Sequence, residues 1–294
     1  MPLSAPGERP ALATLPRGPL VRQALLLALP MLGEQFLSFL VGLVDTYLAG
    51  GISKEATVAV GTGSYLTWFS MTAFMMVGIG AAALVSRSLG AGDAATADRG
   101  MNQAMRLALL IGVLATGLAW LLAPALSSFL TDTPAARDTC ASYLRIVSLA
   151  FVLTSVHLAG GAVLRAAGDT LSPMRIMIVV NVVNVVLSAG LVHGWYGLRL
   201  GVDGIAYGTL AARCVGGVLM ILLLLRGRRG MRLSPGRPDW PIVWRILRVG
   251  LPAAADTGFM TLAQLLFIKV VVSTGERDAA TANFAAHTIA MQVE

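Results

Sequence analysis

Seven stretches of this 294-residue chain are predominantly apolar for more than 20 residues at a time. That is the length a helix needs to cross about 30 Å of hydrocarbon. They lie at 21–49, 57–86, 101–128, 140–163, 172–193, 204–225 and 243–274, and an eighth begins near 279 and is still running at Glu294. In a bilayer, backbone polar groups must be satisfied within the chain, so such stretches are read as helices. The expected class is an all-α polytopic membrane protein whose sequence stops inside its eighth helix. Composition agrees, since 56% hydrophobic and only 13% charged residues exclude an ordinary soluble domain. Residues 1–20 form a polar tail that Pro2, Pro6, Pro10, Pro16 and Pro19 keep from being helical. The run from Val21 to Ala49 is too long for the apolar core of a signal peptide and reads as a retained helix. Cys140 and Cys214, far apart, leave out a disulfide scaffold or a cysteine-based zinc site.

The net charge of +7 is explained by position. With the amino-terminal tail inside, the inner connections carry fifteen Lys and Arg and the outer ones only Lys54, Arg137, Arg199 and Arg277. Cytoplasmic connections carry the positive excess, so the amino terminus is expected to be cytoplasmic. The basic run at 226–242 then reads as a cytoplasmic linker and topology signal, in contact with anionic lipid rather than nucleic acid.

An internal repeat sets the architecture. Segments one and seven each have a basic or polar lead and a helix-interior proline, Pro30 or Pro252. An acid follows four residues later in each, Glu34 or Asp256, and a Gly-containing outer turn closes both. Segment seven therefore looks like the start of a second copy. The division is a 1–20 tail, a six-helix lobe at 21–225, the 226–242 linker, and 243–294 as the first helix and part of the second helix of another lobe. A complete molecule would have twelve helices.

Ionisable groups at bilayer depth need a reason to be there, because each costs about 2.5–3.5 kcal/mol on insertion scales. Glu34 and Asp45 are eleven residues apart, which puts them within roughly 20° on one helix face and about 16 Å apart along it. Asp45 could be an interfacial or helix-end residue, and Glu34 a hydrogen bonder beside the Pro30 kink. Polar groups that could meet this face are Asn181, Asn184 and Ser188 in segment five, and Tyr207, Thr209 and Arg213 in segment six. Arg213 is a candidate partner for an acid. Gly204, Gly208, Ala212 and Gly216 recur every four residues and predict a close helix-packing stripe. His157, His193 and His287 have no metal-ligand spacing and read as interface or core residues. The string Gly78-Ile-Gly80-Ala-Ala-Ala83, with Asp98 following, fits a dinucleotide-binding pattern only on paper, since it lies inside an apolar helix rather than after a strand. Nothing argues for an enzyme, a catalytic group, a cofactor or a metal.

These residues resemble the multidrug and toxic compound extrusion (MATE) family of antiporters. The matching landmarks are Pro30 and Val44-Asp45-Thr46, LVSRSLGAGD at 84–93, LRAAGDTLSPM at 164–174 followed by Asn181 and Asn184, GVDGIAYGT at 201–209 and RVGLP at 248–252. The resemblance implies two six-helix lobes packed as a V. It implies export of small organic cations or drugs across the cytoplasmic membrane by alternating access, in exchange for protons or sodium ions, and a monomer at full length. It assigns Asp45 the coupling role, accompanied by Asn184 and Thr209. Some relatives have an Asp four residues after the Asn, where this chain has Ser188, so a proton is favoured over sodium as coupling ion. Some relatives carry a Glu in helix seven eight residues after the Pro, where this chain has Met260, and Asp256 is a different position. Glu34, Asp256 and Arg213 are expected as further polar residues of the cavities. A carboxyl in a partly dehydrated cavity can take up a proton near neutral pH, so proton and cationic substrate can compete for it. The alternatives are a lipid-linked oligosaccharide flippase of the same superfamily and a non-transporting remnant. The acids Glu34, Asp45 and Asp256, set against Arg213 and Lys269, favour cationic cargo. Membrane lipids are the other expected partners.

Overall fold

A computed structural model describes residues 20–130 and 134–273 and is α-helical almost throughout. The helices are α1 (Leu20–Gly50), α2 (Lys54–Gly90), α3 (Ala94–Leu130), α4 (Pro134–Ser148), α5 (Phe151–Ala166), α6 (Leu171–His193), α7 (Gly201–Leu225) and α8 (Trp240–Ser273). Five are long and apolar enough to cross a membrane, or six when the bent pair α4 and α5 is taken as one span, among the described residues. The expected eighth segment and His287 lie outside the described residues.

The fourth apolar segment departs from expectation. Read as one helix over 140–163, it starts at Pro134 and bends by 49° between α4 and α5. The break is set by tertiary contact. Thr116 Oγ1 on α3 donates to the Ser148 carbonyl at 3.0 Å, and the next two amides turn back to Ile146 and Val147 in tighter, three-residue bonds. A side chain inserted into the helical ladder is a known cause of a kink. Helices α2 and α3 also run further into polar sequence than the apolar pattern implies. The Ser53 side chain accepts from the Ala56 amide, and Asp93 Oδ1 accepts from the Thr96 amide, so each start is capped.

The chain forms two units, residues 1–251 and 252–294. In the first unit, one apolar core gathers Val77, Met101, Leu164, Met220, Leu224 and Ile246. A second joins Phe74, Tyr143, Leu144, Phe151 and Ile205, with the Phe74 and Phe151 rings edge to face at 5.8 Å. Outward faces carry Leu29, Leu32, Phe36, Leu114, Leu121 and Val182, all exposed, as a lipid-facing surface requires. Trp68 and Met75 are exposed too, whereas Phe74 is core.

The small-residue stripe does what its spacing predicts. A Cβ at Gly204 would press on Leu191, one at Gly208 would collide with Ser188, and one at Gly216 would meet Val180. Glycine there lets α7 approach α6 closely enough for short polar side chains to meet. The basic segment at 226–242 is not a loose connection. Met231 is buried, Arg232 N donates to Asp98 Oδ1 at 2.8 Å, and Ser234 N donates to Asn102 Oδ1 at 2.7 Å. Gln103 and Arg106 both donate to the Arg237 carbonyl, so the segment is stapled along the start of α3.

The second unit contains Pro252, inside α8, and Asp256, which is exposed.

Candidate functional site

The meeting of α1, α6 and α7 builds a polar cluster inside an otherwise apolar bundle. Asp45 is only 5% exposed. Thr209 Oγ1 donates to its Oδ2 at 2.7 Å, and Asn184 Nδ2 donates to its Oδ1 at 3.2 Å. The same Asn184 amide lies 3.1 Å from Thr209 Oγ1 and 3.4 Å from Ser188 Oγ. Asn184 and Ser188 are fully buried. The backbone explains the convergence. Asn184 and Ser188 lie one turn apart on α6, and Gly208, next to Thr209, leaves the room that brings α7 against Ser188. Asn181, one turn earlier, donates to the Leu37 carbonyl at 2.9 Å and fixes the register of α1 against α6.

Chemically the cluster is a carboxyl with neutral donors and, among the described residues, no fixed positive charge in contact. A carboxylate accepts only, and hydrogen bonds to it are roughly twice as strong as neutral ones. Thr209 both donates to Asp45 and accepts from Asn184, a short polarised chain. Asn184 Oδ1 is buried without a partner.

The other acid on this face of α1 is held differently. Glu34 Oε1 and Oε2 each lie 2.8 Å from Arg165 Nη1 on α5, with the two side chains 12% and 23% exposed. Arg165, one of the fifteen basic residues counted to the inner connections, is therefore a partner within the bundle. Arg213 makes no ion pair among the described residues, and its Nε is buried and unpartnered. It stands within electrostatic range of Asp45 and Tyr143 without touching either carboxylate oxygen. Tyr143, 4% exposed on α4, does not stand out in the sequence because a lone Tyr in an apolar run carries no periodic signal. Tyr207 is 45% exposed and stays outside the cluster. His193 is exposed at the end of α6, stacked on Trp195 at 5.9 Å.

The family profile described as MatE matches residues 30–189, more than half of the chain. The chain belongs to the MatE family. The match takes in α1 with Asp45 and α6 with Asn184 and Ser188. Among curated MatE relatives, "Probable multidrug resistance protein NorM" of Thermotoga maritima is 28% identical over 279 residues, 94% of this chain and 59% of that protein. The protein of the same name in Xylella fastidiosa is 30% identical over 290 residues, 93% and 58% of the two chains. The fold agrees with a structure described as the outward-facing conformation of a multidrug resistance MATE family transporter of the MOP superfamily. There the TM-score is 0.79 at 25% identity, over 92% of this chain and 60% of that one. A crystal structure of MATE in complex with MaD5 aligns with a TM-score of 0.82 at 25% identity, covering 96% and 64%. This MatE chain thus spans about 60% of the length of the relatives it matches, and it is a multi-pass membrane protein.

Proposed function

We propose that the chain is part of a proton-coupled antiporter that exports organic cations or drugs across the cytoplasmic membrane by alternating access, with its amino terminus inside and Asp45 as the coupling residue. The observation that carries this reading is the buried Asp45 carboxyl, satisfied by Thr209 and Asn184 and by no contacting cation. An acid held this way can change its charge without breaking an ion pair. Ionised, it accepts from both neighbours. Protonated, it becomes a donor itself, so the group facing the protonated oxygen must change from donor to acceptor, by rotation of the Thr209 hydroxyl or of the Asn184 amide. Asn184 Oδ1, buried and unpartnered, is placed to accept after an amide rotation. Protonation thereby weakens the tie of α1 to α6 and α7, and the lost negative charge weakens attraction for a cationic substrate. Ser188 in place of a second carboxylate leaves one acidic group, which favours a proton over sodium. The names of the relatives, multidrug resistance proteins, support this cargo class.

The test uses the full-length transporter in proteoliposomes holding an imposed proton gradient. A fluorescent organic cation such as ethidium should dissipate that gradient with the wild type and leave it intact with Asp45→Asn, and a sodium gradient should not replace it. Wild-type dissipation by a well-inserted Asp45→Asn protein, or a strict sodium requirement, would overturn the reading.

A further inference from the structure

Below the Asp45 cluster, between α1, α5, α6 and α7, lies a cavity of about 30 Å³, room for one or two waters or one monatomic ion. Its walls are apolar at Val41, Met177 and Val180 and polar at Thr154, His157 and Arg213. Each of these three residues carries a buried atom with no hydrogen-bond partner: Thr154 Oγ1, His157 Nδ1 and Arg213 Nε. Thr154 itself is 3% exposed. Three unmet polar atoms on residues that line one void need an explanation, because buried polar groups find partners.

The charges around the cavity decide what fits. On α7, Arg213 is a permanent cation, and its Nε–H can only donate. On α5, Thr154 can donate its hydroxyl, His157 can carry its proton on Nδ1, and Arg165 is committed to Glu34. Helix α6 lines the cavity with Met177 and Val180, and α4 contributes Tyr143 at electrostatic range of Arg213. On α1, Asp45 interacts with Arg213 through space but spends its oxygens on Thr209 and Asn184. A water in the cavity would satisfy the Arg213 N–H yet leave its charge without a counter-ion in contact, an expensive arrangement inside a bundle.

We propose that the cavity lined by Thr154, His157 and Arg213 is a binding site for a small monovalent anion of the halide class, with Arg213 as its charge. The site goes beyond the coupling role of Asp45 and stands whether or not that role holds. Because Asp45 is the negative charge nearest to Arg213 in effect, removing it strengthens the pull on an anion.

The measurement is thermal unfolding of the purified full-length protein in detergent, titrated with sodium chloride or bromide against gluconate at constant ionic strength. Ligand binding to the folded state raises the midpoint with concentration. Wild type should be stabilised by halide, Asp45→Asn should reach the same shift at about tenfold lower halide, and Arg213→Met should show no halide dependence. Thr154→Val keeps charge and shape and should need several-fold more halide, which keeps the test informative if Arg213→Met fails to fold. Bromide-soaked crystals should place an anomalous peak in the cavity. Equal midpoints in halide and gluconate for both wild type and Asp45→Asn, or a cavity occupied by water with no anomalous signal, would overturn the proposal.

Discussion

Two acids share one face of α1, and the bundle treats them oppositely. Glu34 meets a guanidinium, with both carboxylate oxygens 2.8 Å from Arg165 Nη1. Asp45, eleven residues on, meets a hydroxyl and an amide. A fixed cation in contact ties an acid to its charged form, and losing that charge leaves the partner orphaned. Neutral dipoles reorganise instead, since a hydroxyl rotates and an amide has an acceptor as well as donors. The pair at Glu34 thus joins α1 to α5 permanently, whereas the join at Asp45 is one a proton can undo. Intramembrane acids are functional candidates by default, and the contacting partner separates the two kinds.

The sharpest way to break this contrast is to neutralise each acid in turn. Asp45→Asn is expected to reduce export to background while the protein still inserts, since Asn retains an oxygen for Thr209. Glu34→Gln is expected to keep measurable export. Cation efflux from cells expressing each variant at matched levels checks both, and equal loss of export would erase the distinction.

Stability should then move the other way. Glu34→Gln leaves Arg165 without its counter-ion, and for a largely buried pair that is expected to lower unfolding free energy by about 2–3 kcal/mol. The double variant Glu34→Leu with Arg165→Met removes both charges and should recover most of the loss. Denaturant unfolding in mixed micelles of the single variants Glu34→Leu and Arg165→Met and of the double variant, read as a double-mutant cycle, measures the coupling. Purely additive effects would mean that the pair does not hold α1 to α5.

At Asp45 the corresponding probe is a single donor. Thr209→Val removes the 2.7 Å bond and is expected to cost about 2 kcal/mol, typical of a hydrogen bond to a charged group. Thr209→Ser, which keeps the hydroxyl, should restore both stability and export. Failure of serine to rescue would assign the effect to packing of the threonine methyl.

How far the sequence alone reaches depends on what generates each feature. The spanning helices are legible because a bilayer demands long apolar runs, and the α6 and α7 contact is legible because Gly204, Gly208 and Gly216 repeat along one face. The break at Ser148 is not, because the Thr116 hydroxyl that takes its carbonyl lies 32 residues earlier. Asp45, Asn184 and Thr209 could be named from the residues and the family resemblance, and they meet. The partners of Glu34 and Arg213 could not be named, since they depend on the register of α5 against α1 and α7, which apolar periodicity leaves open. The 226–242 segment shows only its charge in sequence, while its anchorage depends on Asp98 and Asn102 of α3.

The smallest expected effect concerns two turns that share one design. Gly92 and Gly168 both take a left-handed conformation, with φ of 77° and 80°. Each is followed by an Asp whose amide reaches back 2.8 Å to a carbonyl five residues earlier, Ser88 or Leu164. Each Asp then caps the next helix, Asp93 accepting from the Thr96 amide at 2.9 Å and Asp169 from the Ser172 amide at 3.1 Å. Only glycine adopts that left-handed geometry without strain, which explains the recurring Gly-Asp. Their surroundings differ. Asp93 is exposed, and the Thr96 hydroxyl and amide hold its carboxyl below the usual carboxylate range. A group depressed in the folded state contributes above its unfolded pKa, and the contribution is lost as pH falls through the folded value. Asp169 is 5% exposed and also accepts from the Ser172 hydroxyl at 2.8 Å and from Arg228 Nε at 3.0 Å. Arg228 belongs to the basic segment, so this second cap also anchors the chain between α7 and α8. Asp169→Ala should therefore cost about 1–2 kcal/mol and expose the 226–242 segment to protease. Asp93→Ala should loosen only its own helix start, by less, and the difference from wild type should shrink as pH is lowered through the carboxylate range. Limited proteolysis with and without each change decides it, because equal cleavage of 226–242 in both variants would show that Arg228 adds nothing to the cap.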